Sequence, residues 1–252
     1  MENGKATGVI LEDGTKVEAK RLVVNGSDPW QLAFRYLEPD MTSDKVKHQI
    51  KNLWGDNYGI IWATFALHEL PEYKVEKTHP GCMTQRCYLM PKDADYIRFR
   101  KLGECHRYGL PKRFFFHLTH DTAFVPSYAP PGNHLCLVED YLGEDKFFNK
   151  AEWEEIRKRT PQELLKDWQR YAPNMTEDNV INSHVILGPD LPARWGVPMW
   201  SSIGHNAPQM GSFRPIPEWS GYKTHIENLY MCNQNQHPGG SSWRCRDTIV
   251  TR

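Results

Sequence analysis

The residues best placed to do chemistry lie near the C-terminus, in Ile226-Glu-Asn-Leu-Tyr-Met-Cys-Asn-Gln-Asn-Gln-His-Pro-Gly-Gly240. An apolar run from Leu229 to Cys232 stops at Asn233, Gln234, Asn235 and Gln236. His237, Pro238, Gly239 and Gly240 follow. A short buried strand that ends this way delivers a backbone loop to the edge of a sheet, and two glycines without Cβ atoms let a ligand approach the main chain. Such a turn either cradles a phosphate or a flat cofactor, or is an unliganded Gly-rich turn. His205, in Ile203-Gly-His-Asn206, and His237 both fall in loops. There an imidazole either does general acid–base work or hydrogen-bonds its own loop.

Other chemistries lack their residues. The chain has no GxGxxG, no Walker loop, no GxSxG elbow and no HExxH. Cysteines 82, 87, 105, 136, 232 and 245 form no CxxC pair, so they read as reduced thiols and not as zinc ligands. His117 and His120 are three apart; in a strand they face opposite sides, and no metal site is expected from them. Lys+Arg and Asp+Glu balance at 31 each, which removes the electrostatic case for nucleic acid or an anionic membrane surface. No apolar run approaches the roughly 20 residues that span a bilayer. With no signal peptide at its start, the chain is expected to be soluble and cytoplasmic.

The elements that must position these residues are unevenly legible. Gly8 to Ala19 holds two β-type runs around Glu12-Asp13-Gly14, and Asp-Gly is a strong hairpin signal. Leu22-Val-Val24 then reads as a short buried strand halted by Asn25-Gly-Ser-Asp-Pro29. A hairpin alone is marginal in water, so this one must lean on a sheet made elsewhere. Residues 30–53 carry apolar positions at helical spacing, divided by Pro39 into two helices. Tyr58 to Leu67, Phe114 to Thr119, His134 to Glu139 and Val180 to Leu187 read as strands. Asp121 to Gly132 is expected to be irregular because of its prolines. Asn149 and Thr160 read as N-caps of two successive helices, with Pro161 at a first helical position. Residues 188–221 form a long loop-rich passage of the kind that is functional or packed on a partner. Thirty aromatic residues, nine Trp, eleven Tyr and ten Phe, suit a pocket for an apolar ligand, an ordinary core or a subunit interface.

Four blocks, in order, resemble the C-terminal half of the phytoene-desaturase-like flavoproteins, within the amine-oxidase-type FAD oxidoreductases. They are the hairpin with Val23-Val-Asn-Gly-Ser-Asp-Pro29, then Ser127-Tyr-Ala-Pro-Pro-Gly-Asn-His134, then Gln209-Met-Gly-Ser-Phe-Arg-Pro215, and the closing run from Tyr222 to Gly240. Where that family has Cys-Gly, this chain has Cys232-Asn233. The resemblance implies an α+β fold. Residues 1–30 and 221–252 would be two separated segments completing a Rossmann-like FAD domain, with residues 31–220 an inserted substrate domain of mixed sheet and helices.

It also implies roles. Asn25, Gly26 and Asp28 would lie near the phosphate and ribityl part of FAD. Cys232, Asn233, Gln234 and Asn235 would pass beside the cofactor, and His237, Pro238, Gly239 and Gly240 would lie against the isoalloxazine edge. The family's GxGxxG half is not in these 252 residues, so the resemblance implies either a companion chain that carries it or that these residues are a fragment of a longer chain. Family chemistry is hydride transfer at a C–C bond of an apolar or aromatic small molecule, with flavin doing the redox work. His205 and His237 are the candidates for proton transfer, and Arg214 for anchoring an anionic group or for a buried structural pair. A non-catalytic structural subunit and a flavin-dependent isomerase are the alternative functions.

Overall fold

A computed structural model describes residues 4–53, 59–81, 86–143, 145–195, 209 and 211–237. In chain order the strands are β1 (Gly8–Ile10), β2 (Lys16–Glu18), β3 (Val23–Asn25), β4 (Gly59–Leu67), β5 (Cys87–Leu89), β6 (Phe116–Thr119), β7 (His134–Leu142), β8 (Val180–Ile186) and β9 (Leu229–Met231). The α-helices are α1 (Pro29–Gln31), α2 (Asp44–Lys51), α3 (Lys101–Tyr108), α4 (Asp121–Phe124), α5 (Lys150–Trp168) and α6 (Asp190–Trp195). No described helix is long and apolar enough to cross a membrane.

The chain divides into two compact units, residues 1–56 with 192–252, and residues 57–191. These boundaries differ from the expected 30/31 and 220/221. Residues 31–53 and 211–220 belong with the ends because Leu32, Ala33, Val46 and Ile50 share a core with Ile216, Trp219, Ile226, Leu229 and Met231.

In the middle unit, β5-β6-β7-β4-β8 form an antiparallel sheet. Strand side chains alternate between faces. One face buries Ile61, Ala63, Phe65 and Leu67 of β4 with Phe116, Leu118, Cys136, Val138 and Leu142. Trp153, Ile156, Leu164, Leu165 and Trp168 of α5 join the same core, with Trp168 edge-on to Phe65. The other face carries half-buried Trp62, Thr64, His117 and Glu139 and stands outside this core.

One buried and one half-buried ion pair tie this unit together. Lys101 of α3 meets Asp140 of β7 inside the core, and Asp140 also accepts the Phe115 N–H at 3.1 Å. Asp167 of α5 accepts from Arg113 Nε at 2.6 Å and from the Phe114 N–H at 2.8 Å. Burial pushes the Asp140 carboxyl up, against the opposing pull of Lys101.

Three expectations are corrected here. Residues 150–168 form one helix, not two: Pro161 lies inside α5, and Thr160, read as a cap, is buried with its hydroxyl donating to the Ile156 carbonyl at 2.7 Å. The apolar stripe Trp153, Ile156, Thr160, Leu164 and Trp168 continues across the proline, so packing holds the helix together where propensity would break it. Asp121–Phe124 is helical, ahead of the prolines that make the rest of that passage irregular. The loop-rich passage from 188 contains α6 and a 3₁₀ turn at Pro217–Trp219.

In the other unit, β1 and β2 form the expected hairpin, with the Thr15 N–H donating to Asp13 Oδ1 at 2.9 Å and Gly14 at φ +85°. It makes a separate two-stranded sheet whose Val9, Ile10 and Val17 are exposed. β3 and β9 pair in parallel, with Val23 opposite Leu229 and Asn25 opposite Met231.

Candidate functional site

Parallel pairing puts the ends of β3 and β9 side by side, so the loops following Asn25 and Met231 leave from the same end of the ladder. The Cys232 N–H donates to the Asn25 carbonyl at 2.8 Å and closes that end. Each polar residue of the two loops then has an observable use.

Asn25 turns back on its own loop. Its Nδ2 donates to the Ser27 carbonyl at 2.9 Å and its Oδ1 accepts the Ser27 hydroxyl at 2.7 Å, the compact local bonding that suits Asn to turns. Asp28 caps the following helix, Oδ1 accepting from the Trp30 and Gln31 N–H groups at 2.8 and 3.0 Å. Its Oδ2 is buried without a hydrogen-bond partner. Burial raises the carboxyl above its ordinary range despite those two N–H donors.

Asn233 is buried and bridges the two loops. Its Nδ2 donates to the Ser27 carbonyl, and its Oδ1 accepts the Asn235 N–H at 2.8 Å. Asn235 and Gln236 are also buried. Gln236 Nε2 contacts Met231 Sδ at 3.5 Å, while its Oε1 has no hydrogen-bond partner. At Gly26 a Cβ would meet nothing within 4 Å, so open space adjoins the main chain there.

The structure thus brings Asn25, Gly26, Asp28, Cys232, Asn233, Gln234 and Asn235 to one end of one ladder. His237 is exposed beyond them, and its carbonyl accepts the Tyr222 hydroxyl at 2.6 Å. Arg214 is 3% exposed, and its backbone N–H reaches the Gly211 carbonyl at 3.2 Å. His205, Pro238, Gly239 and Gly240 lie outside the described residues. Ser27 and Gln236 were not singled out in the sequence. The first is an acceptor through its backbone, which no residue type announces. The second is the last amide of the polar run Asn233–Gln236, and only burial distinguishes it. Among the described residues no group of three or more His, Cys, Asp or Glu is placed to hold a metal.

No protein-family profile matches the chain. It is 26% identical over 246 residues to pyridine nucleotide-disulfide oxidoreductase domain-containing protein 2 of Mus musculus, covering 94% of this chain and 42% of that protein. It is 22% identical over 259 residues to a subunit of limonene dehydrogenase from Castellaniella defragrans, covering 95% of this chain and 46% of that one. The chain therefore spans less than half the length of these relatives. A crystal structure of an oxidoreductase from Methanosarcina mazei aligns with 95% of this chain and 43% of its own, at a TM-score of 0.49 and 16% identity. By sequence the chain is similar, at low identity, to proteins named as oxidoreductases, one of them a dehydrogenase subunit.

Proposed function

We propose that the chain is one subunit of a split, heteromeric FAD-dependent oxidoreductase whose companion chain carries the GxGxxG half. The observation that carries this reading is the β3–β9 ladder. Parallel strands occur almost only in multi-stranded sheets covered on both faces. Here the ladder has two strands. The outer edge of β3, toward which the N–H and C=O of Val24 point, pairs with no strand among the described residues, and the Val24 side chain is exposed. A sheet continued by residues outside these 252 accounts for that edge, and the limonene dehydrogenase relative is by name one subunit of an enzyme, which favours a second polypeptide as their source.

The residues at the ladder's end fit a flavin in two respects. Gly26 leaves the main chain open to close approach, and Asp28 Oδ2 and Gln236 Oε1 are buried acceptors without partners, suited to hydroxyl donors such as those of a ribityl chain. Asn25, Cys232, Asn233, Gln234, Asn235 and Pro238 to Gly240 complete the proposed contact segment. Bound FAD would exchange a hydride with an apolar or aromatic substrate in C–C desaturation or reduction. The companion and the substrate pocket would supply the rest.

A second reading, a non-catalytic structural subunit, is favoured by one specific observation. The side chains of Asn25 and Asn233 and one oxygen of Asp28 hold their own backbone, leaving few donors for a cofactor. One experiment separates the two. The chain is co-expressed with its neighbouring GxGxxG-bearing reading frame, and the purified complex is examined for flavin absorbance. A stoichiometric flavin band supports the enzyme; a stable complex without flavin selects the structural role.

A further inference from the structure

The β1–β2 hairpin is amphipathic, and its apolar face is exposed. Val9 lies opposite Val17. The Leu11 N–H donates to the Thr15 carbonyl at 2.9 Å and the Ala19 N–H to the Thr7 carbonyl at 2.8 Å, which extends the pairing past the ends of both strands. Side chains alternate along a strand, so Thr7, Val9, Leu11, Thr15, Val17 and Ala19 share one face. That face carries no charge, whereas the opposite one holds Lys16 and Glu18 beside Ile10. Val9 is 45% exposed, Leu11 49% and Val17 48%.

An antiparallel sheet of this pattern packs its uncharged face on a core and leaves the charged one to water. Two strands alone are marginal in water, and packing of the apolar face is what stabilises them. This hairpin forms a sheet of its own, separate from the β3–β9 ladder, so its apolar face needs a cover from elsewhere.

We propose, on the split-oxidoreductase reading above, that the Val9–Leu11–Val17 face is a docking surface whose occupant is an apolar surface of the polypeptide carrying the GxGxxG half. The relatives match this chain over nearly all its residues and are more than twice as long, so each holds a further stretch of chain of at least comparable size. The hairpin is also tied to the ladder whose open edge that polypeptide would continue. The Ala6 N–H donates to the Glu227 carbonyl at 2.9 Å, two residues ahead of β9, and Lys5 pairs with Glu227 at 3.1 Å. Only residues 19–22 separate β2 from β3. Five residue steps from Glu18 to Val23 span at most about 18 Å. A partner of domain size, about 30 Å across, that is seated on the β3 edge therefore reaches the hairpin. A second copy of the chain is the weaker candidate. Three half-exposed aliphatic side chains supply a small part of the roughly 800 Å² per partner in a stable interface. A polypeptide that also takes the β3 edge has the larger contact.

The test co-expresses the full chain with the GxGxxG-bearing reading frame beside it and measures how much companion co-purifies. Val9→Lys and Val17→Lys each place an ammonium in the apolar contact, and should lower co-purification at least about tenfold. Ile10→Lys is the control, because Ile10 is 69% exposed on the opposite face. It should leave co-purification unchanged. Melting of each isolated variant should match the wild type, as expected for substitutions at exposed positions. A second measurement needs no substitution: the hydrogen-bonded Leu11 and Ala19 amides should exchange with solvent at least about tenfold more slowly in the wild-type complex than in the chain alone.

Unchanged exchange at those amides overturns the proposal, and so does a Val17→Lys chain that binds the companion as well as wild type. An equal loss with Ile10→Lys overturns it too, since the effect would then have no face. If the isolated chain is a dimer that Val17→Lys dissociates, the face belongs to a second copy and the assignment to the companion fails. A stable wild-type complex without flavin sinks the oxidoreductase reading and leaves the docking face standing. No complex between the wild-type chains overturns both.

Discussion

Asn233 Nδ2 donates to the Ser27 carbonyl, joining two loops that are 206 residues apart in the chain. The same amide accepts the Asn235 N–H through Oδ1. A residue standing where the resembled family has glycine therefore acts as an internal clasp, its side chain turned into the loops. Asn233→Gly should remove both bonds, one of them to the buried Asn235, while the Ser27 carbonyl keeps the Asn25 Nδ2 donor at 2.9 Å. The expected loss is about 1–3 kcal/mol of stability, read as a lower urea midpoint. Asn233→Asp should lose as much, because a carboxylate would then face the Ser27 carbonyl oxygen. A midpoint that Asn233→Gly leaves unchanged would show that the clasp contributes nothing.

Asp28 gives a prediction with a sign. Its carboxyl is raised in the folded chain above the ordinary 3.8, chiefly by burial. Folding therefore favours the protonated form. That contribution is full below 3.8 and is lost as pH rises through the raised folded value. Asp28→Asn keeps an oxygen for the Trp30 and Gln31 N–H groups without the buried charge, so its stability relative to wild type should improve from pH 3 to pH 7. Asp28→Ala loses the cap and should cost about 1 kcal/mol at either pH. An Asp28→Asn chain that is less stable at pH 7 than at pH 3, relative to wild type, would contradict this account.

How much of this was legible in the sequence follows from range of interaction. β4, with apolar residues on both faces, and the Asp13-Gly14 hairpin are written locally, in composition and turn chemistry. So is Asn149, whose full capping box with Glu152 is present. Pro161 misled because a local rule met a tertiary stripe: Trp153 and Ile156 on one side and Leu164 and Trp168 on the other bury against the same sheet. The placement of Asn25 beside Cys232 required parallel pairing across most of the chain, which spacing alone does not encode and resemblance supplied.

The open edge of β3 makes the companion chain testable. Val24→Pro removes the one N–H of β3 that points away from β9, and should leave the isolated chain within about 1 kcal/mol of wild type, as prolines are accepted at free strand edges. Co-purification of the companion should fall at least tenfold if that edge receives its strand. Undiminished co-purification would place the contact elsewhere.

Lys101 and Asp140 test what a buried charge pair does for the middle unit. Their side chains are 10% and 0% exposed. Removing only Lys101, as in Lys101→Met, leaves Asp140 in a low-dielectric core with no counter-charge, and should cost about 3–5 kcal/mol. The carboxyl would then take up a proton more readily, since the pull of Lys101 is what opposes burial. The deficit should accordingly shrink as pH falls. The double variant Lys101→Met with Asp140→Leu removes both charges and should be more stable than Lys101→Met alone. Full recovery is not expected, because Asp140 also accepts the Phe115 N–H at 3.1 Å and the Tyr141 N–H at 2.7 Å, which leucine cannot replace. If the double variant were the less stable of the two, the pair would be contributing through its hydrogen bonds to β7 and the Phe115 turn more than through compensation of charge.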